Sequence, residues 1–366
     1  MKKVCILTTV HPRDDTRVLS REARSLAREY ETVLLVADGQ PDEDYHGVHI
    51  RSVVPEKPRS RPDRIFRVTR IMYERALAED AAVYHFHDAE LIPVGLRLKR
   101  HGRTVVYDVH ESISDTITDR DYLPMWVLKL LSRVLGWYDR RCARKVDAVV
   151  TVTPFLKDRY DRLGCRTALV RNFPTLEDFP PPAEDGREES LCCAGARIDF
   201  TRCIYEMIEA SQRSGLPLHV FGRIPAGLEP ELRRRDEAGL LHLYGYVSPE
   251  QVRQQLYRSR IGLVVEQPTG NAVHAYCVKL FEYMAAGMAV VSSDIPLWKE
   301  IVEETGCGLC VDPCDMDAIC SAVLRLKNDP DLARRMGENG RRWAEKKYNW
   351  APEEKTLLEL YRELTK

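Results

Sequence analysis

Short apolar runs alternate with segments of helical period along nearly the whole chain, and this alternation constrains the fold more than any other feature. Residues 4–10 and 32–36 are largely apolar runs of the kind found in strands that are buried on both faces of a parallel sheet. Between them, Val18, Ala23 and Leu26 recur at helical spacing. Parallel strands separated by helices require right-handed crossovers, so the pattern predicts an α/β chain with doubly wound sheets.

The alternation occurs in two series separated by a proline-rich, acidic stretch. A chain of 366 residues exceeds the size at which one hydrophobic core keeps growing, so two domains are expected. We predict a first Rossmann-like domain at 1–175, a linker at 176–188 and a second Rossmann-like domain at 189–345. The later strands are predicted at residues 83–86, 104–107, 148–152, 191–194, 218–221, 240–244, 261–265 and 289–292.

Composition excludes several classes of protein. The net charge of −1 provides no global attraction to nucleic acid, and no apolar run of about 18 residues would span a membrane. The eleven cysteines are odd in number, follow no secretory signal and include no second pair at zinc-ribbon spacing. We therefore expect reduced thiols packed as small apolar side chains in a cytoplasmic protein.

Polar side chains follow the predicted strands of the first series, where open α/β sheets bind ligands. Arg17 lies in the polar stretch after the first strand, which is either an anion site at a helix start or a turn capped by Asp15 or Thr16. His87 and Asp88 follow a second strand, and His110 and Glu111 follow a third.

This set of histidines and carboxylates suits either a metal ion or a cleft that binds polyhydroxy substrates. We favour the second alternative and predict no metal site. His85 is expected to be a structural histidine that strand alternation turns away from His87.

Two further groups stand out in the second series. Arg197 and Arg202 lie where a strand passes into a helix, which suits a diphosphate, although surface arginines are the alternative. Glu282 lies on a helix that ends at Gly287 before the next strand, and a carboxylate there can accept both hydroxyls of a ribose.

These motifs resemble the retaining GT-B glycosyltransferases of family 4, in particular the branch of bacterial polysaccharide biosynthesis. The segments that carry the resemblance are residues 279–293 (KLFEYMAAGMAVVSS), 244–250, 306–312 and 348–350, together with 15–18, 22–26, 87–88 and 107–111 near the front. It implies two Rossmann-like domains facing an interdomain cleft. It also implies that a final helix, at 346–366, crosses back to the first domain.

The same resemblance implies roles for individual residues. Glu282 would bind the nucleotide ribose, and Arg202 would meet the diphosphate together with Arg197 and Lys279. His274 stands where the family often has a first glutamate, on the sugar side of the donor site. Glu282 and Arg202 are therefore the expected catalytic residues of the donor side.

On the acceptor side, the resemblance places His110 against the transferred sugar as a further catalytic residue. Arg17, His87, Asp88 and Glu111 complete the acceptor-side group.

The predicted function is transfer of a sugar from a UDP- or GDP-sugar, without cofactor or metal, to a hydroxyl of a glycan, a lipid-linked acceptor or a small molecule. The alternatives are a nucleotide-sugar epimerase and a non-catalytic nucleotide-sugar-binding subunit. A dinucleotide-dependent oxidoreductase is disfavoured because no G-x-G-x-x-G follows a predicted strand.

The helix predicted at 124–145 interleaves tryptophans and leucines with lysine and arginine. Such a helix either rests on the anionic inner face of a membrane or packs on the core with a solvated basic face.

Overall fold

A computed structural model describes residues 1–112, 124–182, 186–269 and 272–366 of the chain. It divides into two compact units, one of Met1–Asn172 with Ala351–Lys366 and one of Phe173–Trp350. The last helix therefore packs in the first unit, and most of the stretch expected to be a linker belongs to the second. Residues 183–185 of that stretch lie outside the described residues.

The first unit is built on an eight-stranded sheet with the order β3-β4-β2-β1-β5-β6-β7-β8. All neighbouring strands are parallel except β3 and β4. The strands are β1 (Lys3–Leu7), β2 (Glu31–Val36), β3 (Glu43–Tyr45), β4 (Val48–Ser52), β5 (Val83–Phe86), β6 (Thr104–Val109), β7 (Ala148–Thr151) and β8 (Thr167–Leu169). Its helices are α1 (Thr16–Ala23, continued by Arg24–Leu26), α2 (Thr69–Ala78), α3 (Ile92–Arg100), α4 (Met125–Ala143) and α5 (Pro154–Asp161), with helical turns at Arg61–Asp63, Arg64–Val68 and Ala89–Leu91.

The second unit has a six-stranded parallel sheet with the order β11-β10-β9-β12-β13-β14. The strands are β9 (Glu188–Arg197), β10 (Leu218–Arg223), β11 (Leu241–Gly245), β12 (Ser259–Val264), β13 (Ala289–Ser293) and β14 (Gly308–Val311). The helices are α6 (Ile204–Ser214), α7 (Leu228–Arg235), α8 (Pro249–Arg258), α9 (Val278–Ala285), α10 (Pro296–Thr305), α11 (Met316–Asn328) and α12 (Pro330–Lys346), with turns at Leu176–Asp178, Phe200–Arg202 and Ala272–His274. The chain ends in α13 (Trp350–Leu364).

The prediction of two doubly wound α/β domains is confirmed. The central strands are buried along their length because helices cover both faces of each sheet, which is why their sequences are apolar without alternation. The strands that the sequence pattern did not predict are β3, β4, β8 and β14. They are short edge or near-edge strands, and the side chains of β3 are all exposed, so they lack the apolar signal.

Each sheet has a point where the chain reverses the direction in which it adds strands. In the first unit this point lies between β1 and β5, and in the second it lies between β9 and β12. The loops that follow two such strands diverge to opposite faces of the sheet and leave a crevice at the carboxyl ends. These two crevices are where the predicted site residues are found.

Among the described residues, no helix is both long and apolar enough to cross a membrane.

Candidate active site

A cluster of two cations and one carboxylate occupies the crevice of the second unit. Glu266 follows β12, and its carboxylate lies 2.7 Å from the Lys279 ammonium group. The same carboxylate accepts a hydrogen bond from the Arg202 guanidinium. Lys279 is buried, whereas Arg202 and Glu266 remain partly exposed. The trio therefore carries one excess positive charge that solvent or a ligand can reach.

The main chain around this cluster is held by a short set of hydrogen bonds. The Ser293 hydroxyl at the end of β13 accepts from the Glu266 amide and donates to the Glu266 carbonyl, both at 2.8 Å. The amide of Gln267 donates to the Thr201 carbonyl at 2.8 Å. These bonds fix the loop after β12 against the turn that carries Arg202.

Helix α9 is fixed to the sheet by Tyr283. Its buried hydroxyl accepts a hydrogen bond from the Ala194 amide at 2.8 Å. Its ring lies so close to β12 that a Cβ at Gly262 would fall 2.3 Å from it, so only glycine fits there. Lys279 and Glu282 lie three residues apart on this helix, and therefore on neighbouring positions of its surface.

The other predicted donor-side residues lie around the same crevice. Glu282 is partly buried in the second turn of α9, and His274 is exposed in the turn that precedes the helix. Arg197 ends β9, is largely exposed and donates to Asp199 at 2.8 Å. The structure thus brings Arg202 and Lys279 into one ionic cluster and places Arg197 in a separate surface pair.

The opposite charges in this cluster stabilise the ionised forms of its side chains. Burial alone would raise the pKa of Glu266, but the Lys279 and Arg202 charges outweigh it and hold that pKa below its ordinary value. Burial would likewise lower the pKa of Lys279, and the Glu266 carboxylate raises it instead. Glu266 and Lys279 are therefore both ionised at neutral pH.

The crevice of the first unit is tied together by Asp88. Its carboxylate accepts hydrogen bonds from the Thr8 hydroxyl at 2.9 Å, the Thr9 amide at 2.6 Å and the Val10 amide at 3.1 Å. These bonds join the carboxyl ends of β1 and β5 at the point where the sheet changes direction. Asp88 thus shapes the crevice as well as lining it.

The polar stretch after β1 is a capped helix start, which was one of the two alternatives. Asp15 caps α1 by accepting from the amides of Arg17 and Val18, each at 2.9 Å. The Arg13 guanidinium binds Asp38. The Arg17 side chain is buried, where Nη2 lies 2.9 Å from Asp108 and 2.8 Å from Glu22. Neither arginine has its guanidinium in an open anion site.

Behind the crevice, Arg17 belongs to a fully buried polar cluster. Its other members are Glu22, His85, His87 and Asp108. Nδ1 of His85 lies 2.7 Å from the hydroxyl oxygen of Tyr361, a residue of the C-terminal helix α13. This helix therefore packs against the buried cluster.

The expectation that His85 turns away from His87 is wrong. The two rings stack with centroids 4.6 Å apart and an interplanar angle of 21°. Strand alternation has a period of two, so residues i and i+2 share a face. Both imidazoles therefore point at the same two carboxylates.

Burial and neighbouring charges shift the pKa values of the side chains in this cluster in different directions. Burial, together with the charge of Asp108, raises the pKa of Glu22 well above its ordinary value despite the opposing charge of Arg17. Burial would raise the pKa of Asp108 as well, but Arg17 and His110 hold it well below its ordinary value. The pKa of His87 is held well below its usual range by burial and by the neighbouring His85. An ionised Arg17–Asp108 pair beside a protonated Glu22 and neutral imidazoles leaves the cluster without net charge.

The same four ligand-type side chains raise the question of a metal ion. Oxygen and nitrogen atoms of Glu22, His85, His87 and Asp108 lie within 4.8 Å of one another. However, the Arg17 guanidinium contacts both carboxylates. It already supplies the positive charge that a divalent cation would bring, so the residues fit a structural network better than a metal centre. The absence of a metal remains a prediction.

A cavity of about 660 Å³ lies at the mouth of this crevice. His87, Asp88, His110 and Glu111 all line it, whereas Arg17 does not. His110 is partly exposed there, and its Nε2 lies 3.1 Å from Nδ1 of His87. The structure thus gathers four of the five predicted acceptor-side residues around one cavity.

The sequence pattern did not predict two residues of the charged clusters, Glu266 and Glu22. Glu266 directly follows a predicted strand, and the rule that ligands bind at the carboxyl ends of strands would have selected it. Glu22 lies inside α1, and an isolated glutamate on a helix gives no signal of burial.

In a comparison with known proteins, one family model matches most of each unit. The Glycosyl transferase 4-like domain matches residues 16–175, and Glycosyl transferases group 1 matches residues 204–343. The MMP alpha-(1->4)-mannosyltransferase of Mycolicibacterium hassiacum is 23% identical over 279 residues, which are 72% of this chain and 66% of that protein's length.

Solved structures share the fold along the whole chain. Sucrose-phosphate synthase from Thermosynechococcus elongatus superposes with a TM-score of 0.81 at 15% identity, covering 100% of this chain and 99% of that one. HepE of Anabaena, solved with UDP and glucose, superposes with a TM-score of 0.72 at 12% identity, covering 99% and 100%. The architecture is that of the GT-B glycosyltransferases.

Proposed function

Because the chain carries both domains of a GT-B glycosyltransferase, a 4-like domain and a group 1 domain, we propose that it transfers a sugar from a nucleotide-sugar to an acceptor hydroxyl. The donor binds the second unit and the acceptor binds the first. The observation that carries this proposal is the positively charged trio of Arg202, Glu266 and Lys279 at the carboxyl ends of β9 and β12.

The trio suits a leaving diphosphate. As the bond between the anomeric carbon and the phosphate oxygen breaks, negative charge grows on that oxygen, and fixed cations stabilise it without reorganising. Arg202 supplies planar guanidinium donors, and Lys279 supplies a buried point charge. Arg197, at the end of β9, lies at the rim of the crevice, where it is paired with Asp199 and can turn to a bound diphosphate. With these cations meeting the diphosphate, we propose that the transfer needs no metal.

Glu282 binds the ribose hydroxyls of the donor, and His274 lies on the side of the transferred sugar. HepE, which was solved with UDP and glucose, supports a uridine nucleotide as the first candidate, with GDP-sugars as the second. The acceptor hydroxyl forms its bond to the anomeric carbon on the face that the diphosphate leaves, so configuration is retained. Its proton passes to the leaving phosphate oxygen, so no protein base is required.

The acceptor lies in the cavity of the first unit. Imidazole and carboxylate groups of His87, His110 and Glu111 are suited to the hydroxyls of a glycan, a lipid-linked sugar or a small polyol. His110, which is partly exposed at the cavity wall, lies against the transferred sugar and is the proposed catalytic residue of this side.

Calorimetric titration with UDP, GDP and their sugars tests the assignment of the donor side. Glu282→Ala should weaken the binding of the preferred nucleotide-sugar about tenfold or more, because it removes hydrogen bonds to a charged group. Glu300→Ala, which removes an exposed glutamate on α10, is the matched control and should bind like the unaltered protein.

Equal affinity in the Glu282 and Glu300 variants would refute the ribose assignment. Product formed from donor alone would instead indicate the epimerase, and tight binding without transfer would indicate the non-catalytic subunit.

A further inference from the structure

Helix α4 turns large apolar side chains away from its own unit. Trp126 is 72% exposed, Leu130 56%, Val134 53% and Trp137 57%. They follow one another at intervals of four, four and three residues, so they lie on one face of the helix, which we call the outer face of α4. Soluble domains rarely expose a contiguous group of this kind, and such groups mark interaction surfaces.

The opposite face of α4 is the one that packs on the unit. Leu128, Gly136 and Cys142 are buried there. Asp139 on the same face is buried and accepts hydrogen bonds from the hydroxyls of Tyr107 at 3.0 Å and Tyr160 at 2.6 Å. The helix is therefore anchored in its observed rotation. The helix thus packs on the core, and its solvated side carries apolar as well as basic side chains.

The polar residues beside the outer face carry one sign of charge. Lys129, Arg133, Arg141 and Arg144 are exposed, and the Arg141 guanidinium lies 5.6 Å from the centre of the Trp137 ring. The one acidic residue in the sequence of α4, Asp139, is buried. Tryptophans between basic side chains match the interface of an anionic bilayer, where the rings enter the headgroup region and the cations meet lipid phosphates.

The outer face adjoins the cavity that holds His110. Leu135 and Tyr138 of α4 line that cavity, and Ile65 lines it from a separate helical turn. Phe66, the next residue of that turn, is 77% exposed. Apolar surface therefore continues from α4 past the cavity wall.

We propose that α4 docks in the plane of an anionic membrane through its outer face, which brings the cavity beside the lipid headgroups. The acceptor is then carried by a lipid; this second part rests on the proposed function. A second copy of the chain fits the surface less well. A two-fold contact between outer faces would set Arg133 and Arg141 of both copies against each other, and like charges oppose such an interface.

Sedimentation of the full chain with vesicles tests the docking. We expect binding to vesicles of phosphatidylcholine mixed with phosphatidylglycerol, weak binding to phosphatidylcholine alone, and loss of binding at high salt. Trp126→Ser with Trp137→Ser should lower the partition coefficient roughly tenfold or more. Arg133→Gln with Arg141→Gln should lower it roughly 25-fold, at about fivefold for each charge.

The matched control is Arg233→Gln with Arg235→Gln on α7, where two exposed arginines lie on a helix without exposed apolar side chains. This variant should partition like the unaltered chain. Far-ultraviolet circular dichroism and unchanged nucleotide binding show that the tryptophan variant is folded.

Two outcomes would overturn the docking. One is an unaltered chain that stays in the supernatant with anionic vesicles. The other is a dimer, seen by light scattering, that the tryptophan variant abolishes. The proposed function fails separately: a chain that binds vesicles but transfers no sugar refutes the transfer and leaves the docking intact, and Glu282→Ala should still bind vesicles.

Discussion

The two units place charged clusters at equivalent points of their sheets, yet the clusters differ in charge balance and access. In the first unit, Arg17 is sealed in the interior between Asp108 and Glu22. In the second, Arg202 and the buried Lys279 share the single carboxylate Glu266, and Arg202 and Glu266 remain partly exposed. The first cluster is neutral and closed to solvent, whereas the second retains a positive charge that an anionic ligand would balance.

The two clusters therefore suit different roles within one fold: the first positions neighbouring side chains, and the second can bind an anionic ligand. Doubly wound sheets offer a crevice wherever strand order reverses, and the residues filling it decide its use. A balanced cluster stiffens the crevice and orients its lining, here His87 and His110. A cluster with excess positive charge can bind the negative charge of a substrate.

Removing the buried cation of the first cluster should have the largest effect. Arg17→Ala leaves the Asp108 carboxylate buried without a counter-charge, which costs about 3–5 kcal/mol of unfolding free energy. Urea denaturation followed by circular dichroism measures it. Addition of UDP or GDP should not restore the loss, since the proposed function places the nucleotide on the other unit. A variant as stable as the original chain would show that the cluster is not held by this pair.

Removing the shared carboxylate of the second cluster should have a smaller and partly reversible effect. Glu266→Gln takes away hydrogen-bonded ionic contacts worth about 2 kcal/mol, leaving Lys279 and Arg202 without their counter-charge. A nucleoside diphosphate brings negative charge to the same cations. Thermal shift with UDP and GDP should therefore show a larger stabilisation of this variant than of the original chain. An equal or smaller shift would contradict a diphosphate at this cluster.

The smallest effect is expected at the rim of the first crevice, where the ion pair of His11 and Asp15 depends on pH. His11 Nδ1 lies 3.1 Å from Asp15. Burial alone would lower the pKa of His11, but the contact with Asp15 and the charge of Asp88 raise it above 6.5. Burial alone would raise the pKa of Asp15, but His11 lowers it from 3.8 to about 2.

The stabilisation by His11 is thus fully present below pH 6.5 and is lost as the pH rises through its raised pKa. The stabilisation by Asp15 is present above pH 3.8 and is lost as the pH falls through about 2. His11→Gln should cost about 1 kcal/mol between these two ordinary values and little at alkaline pH. Melting temperatures across pH measure this, and a loss that grows with rising pH would contradict the ionic pair.

Much of the fold was predictable because buried parallel strands leave continuous apolar runs. The ten predicted strands correspond to strands of the two sheets, and the boundary of the helix predicted at 124–145 lies within two residues of α4 at each end. Edge strands such as β3 were not predicted because exposed strands have no apolar pattern. Glu22 escaped for a related reason, since helix periodicity alone does not show which polar residue is buried.

By itself, the sequence determined the two doubly wound domains and the crevices at their strand ends, because hydrophobic period and chain order fix which strands are central. Only the tertiary structure decided how charges meet inside those crevices. Arg17 and Asp108 are 91 positions apart in the chain, and Arg202 and Glu266 are 64 apart. Ionic pairing depends on distances of a few ångströms, which packing sets and residue spacing does not encode. The same holds for α4: its amphipathic pattern was visible in the sequence, but which face lies outward depended on Asp139 reaching Tyr107 and Tyr160.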